Sequence, residues 1–452
     1  MSKFFTTIRE KIGSASSLRR QLLYGGIGNG LIQAGNRLVG LFFAVVLART
    51  IGTEGYGTYA YAMAILTLLM IPGEFGTPNL LVREIAAGEA RQEWSNIRGI
   101  IIRFLQIVFA VSIFLATIAA TLIFVFGSNL PETLRNTLFL MLILLPIMTL
   151  SQTMLSAMRG FQHVVKSQAV GLLLRPLLVL IVVALLFALI PDMRSPQQVM
   201  IIQIFIGILL GGYTIYLLYR YMPPPIRTVA ATYKTRQWIG SAIPFILLSS
   251  AFIINSQADI LMLGMFQPVE DVGMYRVATQ GASLVAFGLH AVNSVVAPQF
   301  AKMYAKNEIA RLQRLVTTSA RIVLLIATPF ALVFIFAGEP LISLIFGAEF
   351  APAYAPLKVL TYGQLFNTAM GSVGFLLTMS GHEKIALKTM LITATLNVIL
   401  NFIFIPLYGT TGAAIATTIT LIFWNIILYF EVKNRIGILS TAFSFLKSEA
   451  TR

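Results

Sequence analysis

A chain of 452 residues that is 57% hydrophobic, only 11% charged and has a mean hydropathy of +0.83 departs from a soluble domain, where about 25% of residues are charged, and reads as a membrane protein. The lack of cysteine excludes a disulfide framework, a thiolate metal site and a cysteine nucleophile, and three histidines (His163, His290, His382) argue against a histidine-built metal centre. The net charge of +16 reflects membrane topology and anionic headgroups, not nucleic-acid binding, which calls for a basic soluble face with stacking aromatics.

The first 21 residues are polar and basic, and the apolar run after them is too long for a secretory signal, so the N-terminus is expected to be retained. Windows of about 20 residues, the length that spans a bilayer core, predict twelve helices: 22–48, 56–73, 99–126, 137–157, 168–190, 199–220, 239–265, 272–300, 314–338, 357–380, 385–406 and 411–431. Continuous apolar segments favour helices over a barrel, whose strands alternate apolar and polar residues. With the N-terminus inside, the inward segments hold 24 of the 33 Lys and Arg, whereas the outward loops hold only Arg49, Arg135, Arg194 and Lys358. That bias places both termini in the cytoplasm.

The frame Glu-x-x-Gly-x-Tyr occurs at Glu54, Gly57, Tyr59 and again at Glu270, Gly273, Tyr275, 216 residues later. Ala90-Arg91 with Ala310-Arg311, Gly160 with Gly381, and Ile190-Pro191 with Ile405-Pro406 recur at similar spacing. Together they predict two six-helix lobes, 22–220 and 239–431, joined by a cytoplasmic loop (221–238) and flanked by an N-terminal segment (1–21) and a tail (432–452). Six helices per lobe make the repeat parallel, with substrate handled around a central cavity between the lobes. In "MPPPIRT" (222–228) proline removes backbone donors, so the linker is not helical throughout. In "IPGEFGTPNLLVREIA" (71–86), Pro72, Gly73, Gly76 and Pro78 break a helix that resumes as an expected surface-lying amphipathic piece; Glu74 and Asn79 there fit an inner gate or a capped loop equally.

The stretches "VVLARTIGTEGYGTYAYAMAILTLLMIPGEFGTPNLLVREIA" (45–86) and "IPLYGTTGAAIATTI" (405–419) resemble the polysaccharide flippases, the Wzx-type branch of the multidrug/oligosaccharidyl-lipid/polysaccharide exporter superfamily. The resemblance implies a non-enzymatic carrier in the cytoplasmic (inner) membrane. Such a carrier would move an undecaprenyl-pyrophosphate-linked oligosaccharide to the outer leaflet by alternating access, with no cofactor. Membrane lipids are implied partners, as are a polysaccharide polymerase and a chain-length regulator.

Five arginines fall within the predicted spans, Arg37, Arg103, Arg175, Arg276 and Arg321, against one clearly intramembrane acid, Asp259. A charge at such depth costs about 2.5–3.5 kcal/mol on insertion scales and usually faces a cavity. A guanidinium suits diphosphate because its planar fork gives two hydrogen bonds and keeps its charge. Asn29, Gln33, Asn36, Arg37 and Gly40 share one face of the first helix; the alternative is a helix contact glued by amides and small residues. Arg276, Thr279, Gln280, Ser283, His290, Asn293 and Ser294 repeat this pattern on the eighth. Arg37 and Arg276 are the preferred diphosphate contacts, with Asn29, Gln33, Asn36 and Gln280 beside them. Arg276 has pairing with Glu270 or Asp271 as its alternative. Arg103, Arg175 and Arg321 either face the cavity or snorkel to headgroups. His290 is a proton relay or a hydrogen-bonded interior group.

No Gly-x-x-x-x-Gly-Lys-Ser/Thr loop is present, so Na+ or H+ is the expected driver. Asp259 on the seventh helix, Asn397 and Asn401 four apart on the eleventh, and Thr417 on the twelfth offer oxygen ligands for a hard cation. The set is similar to the sodium site of peptidoglycan-lipid flippases, except that Asn401 stands where those have an acid; protonation of Asp259 alone, or an Asp259–arginine pair, are the alternatives. A multidrug exporter of the same superfamily would want an acidic, aromatic cavity. A polysaccharide polymerase or ligase would want a large outward loop, and no outward connection exceeds roughly 20 residues.

Overall fold

A computed structural model describes residues 17–444, with side chains from Gly28 onward except those of Asn29, Leu248, Ala251, Phe252 and Ser294. The fold is all-helical, 90% helix with no strand among the described residues. In chain order the helices are α1 Ser17–Glu74, α2 Thr77–Ala90, α3 Trp94–Phe126, α4 Glu132–Gly160, α5 Val164–Gln168, α6 Arg175–Leu189, α7 Pro196–Tyr221, α8 Pro224–Thr228, α9 Thr235–Phe266, α10 Val269–Val285, α11 Phe287–Ala305, α12 Ile309–Phe346, α13 Tyr354–Met370, α14 Val373–Met379 and α15 Glu383–Ile436. Among the described residues, seven helical stretches are long and apolar enough to cross a membrane.

The longest two are hairpins. Within α1, Gly52 takes φ 68, the left-handed region that glycine enters without a Cβ penalty. Phe43 and Tyr59 then meet edge to face with centroids 5.8 Å apart, although a straight helix would separate them by about 24 Å. Gly409 does the same in α15 with φ 54, bringing Asn397 Nδ2 to 3.5 Å from Thr420 Oγ1 across what would be about 34 Å of straight helix. Each hairpin therefore contains two of the predicted spans.

Two predicted spans are broken instead. The predicted 272–300 helix divides at Ala286 into α10 and α11, and 357–380 divides at Gly371. Gly371 has φ 75, and a Cβ there would lie 2.9 Å from Ser440 O. The piece expected to be amphipathic is so: α2 leaves the Gly76 turn (φ 71) and buries Leu80, Leu81 and Ile85 completely, while Asn79, Arg83 and Ala86 stay exposed. A Cβ on Gly160 of α4 would come within 2.7 Å of Ile85 Cβ. Three apolar side chains on one face set this packing.

The straps after α7 and α15 show the repeat at atomic level. Arg98 Nη1 donates to the carbonyls of Arg227 at 2.9 Å and Val229 at 2.6 Å. Arg321 donates through Nε to Ala442 O at 3.0 Å and through Nη2 to Ser444 O at 3.1 Å. Both pairs of acceptor positions are 215 residues apart, and so are Gln92 and Asn307, each with φ 57. The largest buried cluster unites both halves of the chain, through Leu47, Tyr56, Val183 and Phe187 with Leu263, Tyr275, Phe350 and Ala413. Toward the face bearing the straps, the cluster around Leu81 and Phe104 also takes in Trp238 and Ala242 of α9, while Phe300 and Leu377 anchor a cluster of the second half alone.

A cationic cavity between the halves and a polar knot beside it

The join is made by the repeated frame. Gly57 of α1 and Gly273 of α10 lie backbone to backbone: a Cβ on Gly57 would fall 1.8 Å from Val269 O, and one on Gly273 would fall 3.0 Å from Gly57 N. Small residues permit such an approach where an ordinary side chain would hold helices 8–10 Å apart.

Below this crossing lies a cavity of about 690 Å³. Asn36, Arg37 and Gly40 of α1 line one wall, Gln280 and Ser283 of α10 with His290 of α11 the other, and Gln364 and Asn367 close it. Arg37 is exposed into it, its guanidinium 5.7 Å from the Phe287 ring centre, a cation–π contact that positions without neutralising. A second pocket of about 220 Å³ shares Gly40 and Gln280 and adds Arg276, Tyr56, Tyr59 and Gln257. No carboxylate lines either one among the described residues, and neither arginine makes an ion pair there. Arg276 accordingly does not pair with Glu270 or Asp271.

The structure brings Asn36, Arg37, Gln280 and His290 together around the larger cavity and places Arg276 in the adjoining pocket. Gln33 is exposed one turn from Arg37, and the Asn29 side chain lies outside those described. The remaining three arginines go elsewhere, which corrects the cavity alternative for them. Arg103 stacks 4.6 Å above the Tyr233 ring of the inter-half segment. Arg321 is held by the tail carbonyls, and Arg175 lines a separate pocket with Arg159. Helical phase alone gives no means of ranking them, because the face each presents to the cavity depends on how its helix packs.

Asp259, Asn397, Asn401 and Thr417 also converge, from α9 and the two arms of α15. Asp259 Oδ2 accepts from Thr417 Oγ1 at 2.5 Å and Tyr275 OH at 2.6 Å; Oδ1 accepts from Asn401 Nδ2 at 2.6 Å. Asn401 Nδ2 also donates to Asn397 Oδ1 at 3.0 Å. Asn401 Oδ1 is buried with no partner, an uncompensated acceptor in a set of hard oxygens that a small cation or a proton would satisfy. The arrangement excludes the Asp259–arginine pair. Tyr275 stands in the repeated frame, but its sequence position does not tie it to this knot; Thr420, one turn after Thr417, carries the same helical signal. Tyr56 and Gln257 carry none.

Fold and site together define a helical membrane protein with a cationic cavity between its halves. The profile of the family described as polysaccharide biosynthesis protein matches residues 22–304, so the chain belongs to that family, and the MatE profile matches residues 242–403. It is similar to the probable low-salt glycan biosynthesis flippase Agl15 of Haloferax volcanii, 28% identical over 166 residues, covering 36% of this chain and 35% of that protein. The chain spans about a third of the length of the curated relatives it matches. Among solved structures, an inward-facing multidrug resistance MATE family transporter of the MOP superfamily aligns with TM-score 0.71 at 12% identity, covering 89% of this chain and 94% of that one. The lipid II flippase MurJ, inward closed, aligns with TM-score 0.68 at 17% identity, covering 89% and 87%. The likeness read from residues 45–86 and 405–419 is borne out at the level of family and fold.

Proposed function

We propose that the protein is a flippase that carries an undecaprenyl-pyrophosphate-linked oligosaccharide from the cytoplasmic to the outer leaflet of the inner membrane. The observation that carries the reading is the carboxylate-free cavity with Arg37 on one wall and Arg276 in the adjoining pocket. Two unneutralised guanidinium groups in a low-dielectric space attract a diphosphate strongly, and their forks match its oxygens. In this reading the chain crosses the membrane twelve times in two parallel six-helix lobes with both termini cytoplasmic. The cavity then opens to the cytoplasm, and Gly57 and Gly273 seal the outer side. Lobe rocking about that crossing would exchange access.

Asp259 is the proposed coupling group. A Na+ or H+ taken up there would meet the orphan Asn401 Oδ1 and displace the donors of Thr417 and Tyr275. Release would restore their hydrogen bonds and tighten α9, α10 and α15 around the carboxylate. The MatE match and the MATE fold likeness support a multidrug exporter as the second reading, but an organic cation would be repelled by this cavity.

Cells lacking the protein should accumulate lipid-linked oligosaccharide in the inner leaflet. Arg37→Ala and Arg276→Ala should each lower export at least about tenfold, the loss of a charge-assisted hydrogen bond of about 1.5–3 kcal/mol, with unchanged membrane abundance. Full export with both arginines removed would refute the diphosphate role. Asp259→Asn should abolish the dependence of transport on the ion gradient; unaltered gradient dependence would remove Asp259 from coupling.

A further inference from the structure

A second cationic pocket lies inside the first half, apart from the central cavity. After α4 the chain turns at Gln162 (φ 62), enters α5, and continues through a π-helical stretch, Ala169–Leu174, before α6 begins at Arg175. A π-turn inserts a residue into the helical ladder and rotates the helix beyond it, and such turns concentrate at functional sites. Here the rotation sets Arg175 opposite Arg159, at the last turn of α4. Between them is a space of about 170 Å³, lined also by Gln152, Ser167 and Gln168.

The polar atoms around this space are incompletely used. Arg159 Nη2 donates to Ser156 Oγ at 2.6 Å and Arg175 Nη2 donates to Gln203 Oε1 at 3.3 Å. The Nε atoms of both arginines and Oε1 of Gln168 are buried with no partner. Buried donors on charged groups normally find an acceptor, and Nε lies on the edge of the guanidinium that pairs with two oxygens of one phosphoryl group. The field of Glu74 reaches Arg159, yet the two form no ion pair among the described residues, so the pair of arginines keeps an excess positive charge.

We infer that Arg159 and Arg175 form a binding site for a phosphoryl anion, distinct from the Arg37 cavity. The site fits one phosphoryl group, either free phosphate or the headgroup phosphate of a membrane lipid. It is also wired to the central cavity: Gln203 Nε2 donates to Tyr59 OH at 2.7 Å, and Tyr59 lines the Arg276 pocket. An occupant that draws Arg175 toward it releases Gln203, and with it the hydroxyl at the cavity wall.

The test uses the full-length protein in nanodiscs at matched ionic strength. One arm titrates inorganic phosphate in neutral phosphatidylcholine; the other replaces part of that lipid with phosphatidylglycerol. Unfolding temperature is the readout. The expected result is a rise in at least one arm that needs about tenfold more ligand, or vanishes, in Arg159→Gln/Arg175→Gln, and that survives in Arg37→Gln. A response in the first arm assigns the site to free phosphate, and a response in the second alone assigns it to a lipid headgroup. Should the double Gln variant fail to fold, Arg159→Lys, which keeps the charge but loses the fork, decides: it should weaken the response. No rise in either arm overturns the site. So does an equal rise in wild type and the arginine variants, or one that disappears in Arg37→Gln. The last outcome would return all binding to the central cavity, whose reading stands or falls separately.

Discussion

Gly57→Ala should disable the crossing that joins the two halves. The added Cβ would sit 1.8 Å from Val269 O and 2.6 Å from its carbonyl carbon, where real Cβ contacts begin at 3.0 Å, so α10 must retreat by more than an ångström. The opposing atoms are backbone, and no rotamer change relieves them. Overpacking of well-fitted interiors costs about 1–3 kcal/mol; a clash with main chain belongs at the upper end. At about 2 °C per kcal/mol for a large domain, the unfolding temperature should fall roughly 6 °C, and under the proposed function, in which this crossing seals the outer side, export should fall with it. Gly212→Ala is the matched control: nothing lies within 4 Å of its Cβ position, and alanine is the better helix former by about 1 kcal/mol. Thermal unfolding of the purified protein and export complementation would be measured on both. A Gly57→Ala protein as stable and active as wild type would refute the close crossing.

Two more outcomes concern the basic face. Arg321→Gln removes the donors that hold the carbonyls of Ala442 and Ser444 and should speed proteolysis within residues 437–444 about tenfold, while binding of the proposed lipid-linked oligosaccharide stays at the wild-type level. Weakened binding with an intact tail would restore Arg321 to the cavity. His163, in the turn between α4 and α5, has its pKa lowered from 6.5 first by burial and then by the charge of Lys166, against the opposing pull of Glu89. The unfolded chain therefore takes up the proton first as pH falls. The stability it contributes is full above about 6.5 and is lost as pH drops through the lower folded value. His163→Gln should flatten the fall in unfolding temperature between pH 7 and 5; an unchanged slope would exclude this histidine.

Composition and hydropathy by themselves determined an all-helical membrane protein, because apolar length is a local property that the bilayer reads directly. The 216-residue recurrence of Gly57 and Gly273 likewise showed in the chain that the two halves are related, and the polar stripe from Asn36 to Gly40 showed which face of the first helix would be wet. Asp259, Asn397, Asn401 and Thr417 were legible for the same reason: single polar groups in apolar helices must find one another. Only the tertiary structure decided that Gly57 and Gly273 touch, that Leu80, Leu81 and Ile85 of α2 pack into the protein, and that Arg37 and Arg276 line adjoining pockets. It alone sent Arg103 and Arg321 to the straps and Arg175 to Arg159. A guanidinium on an apolar helix looks the same in sequence whichever way it turns. Its direction is fixed by helix rotation, by a π-turn such as Ala169–Leu174, and by carbonyls more than a hundred residues away.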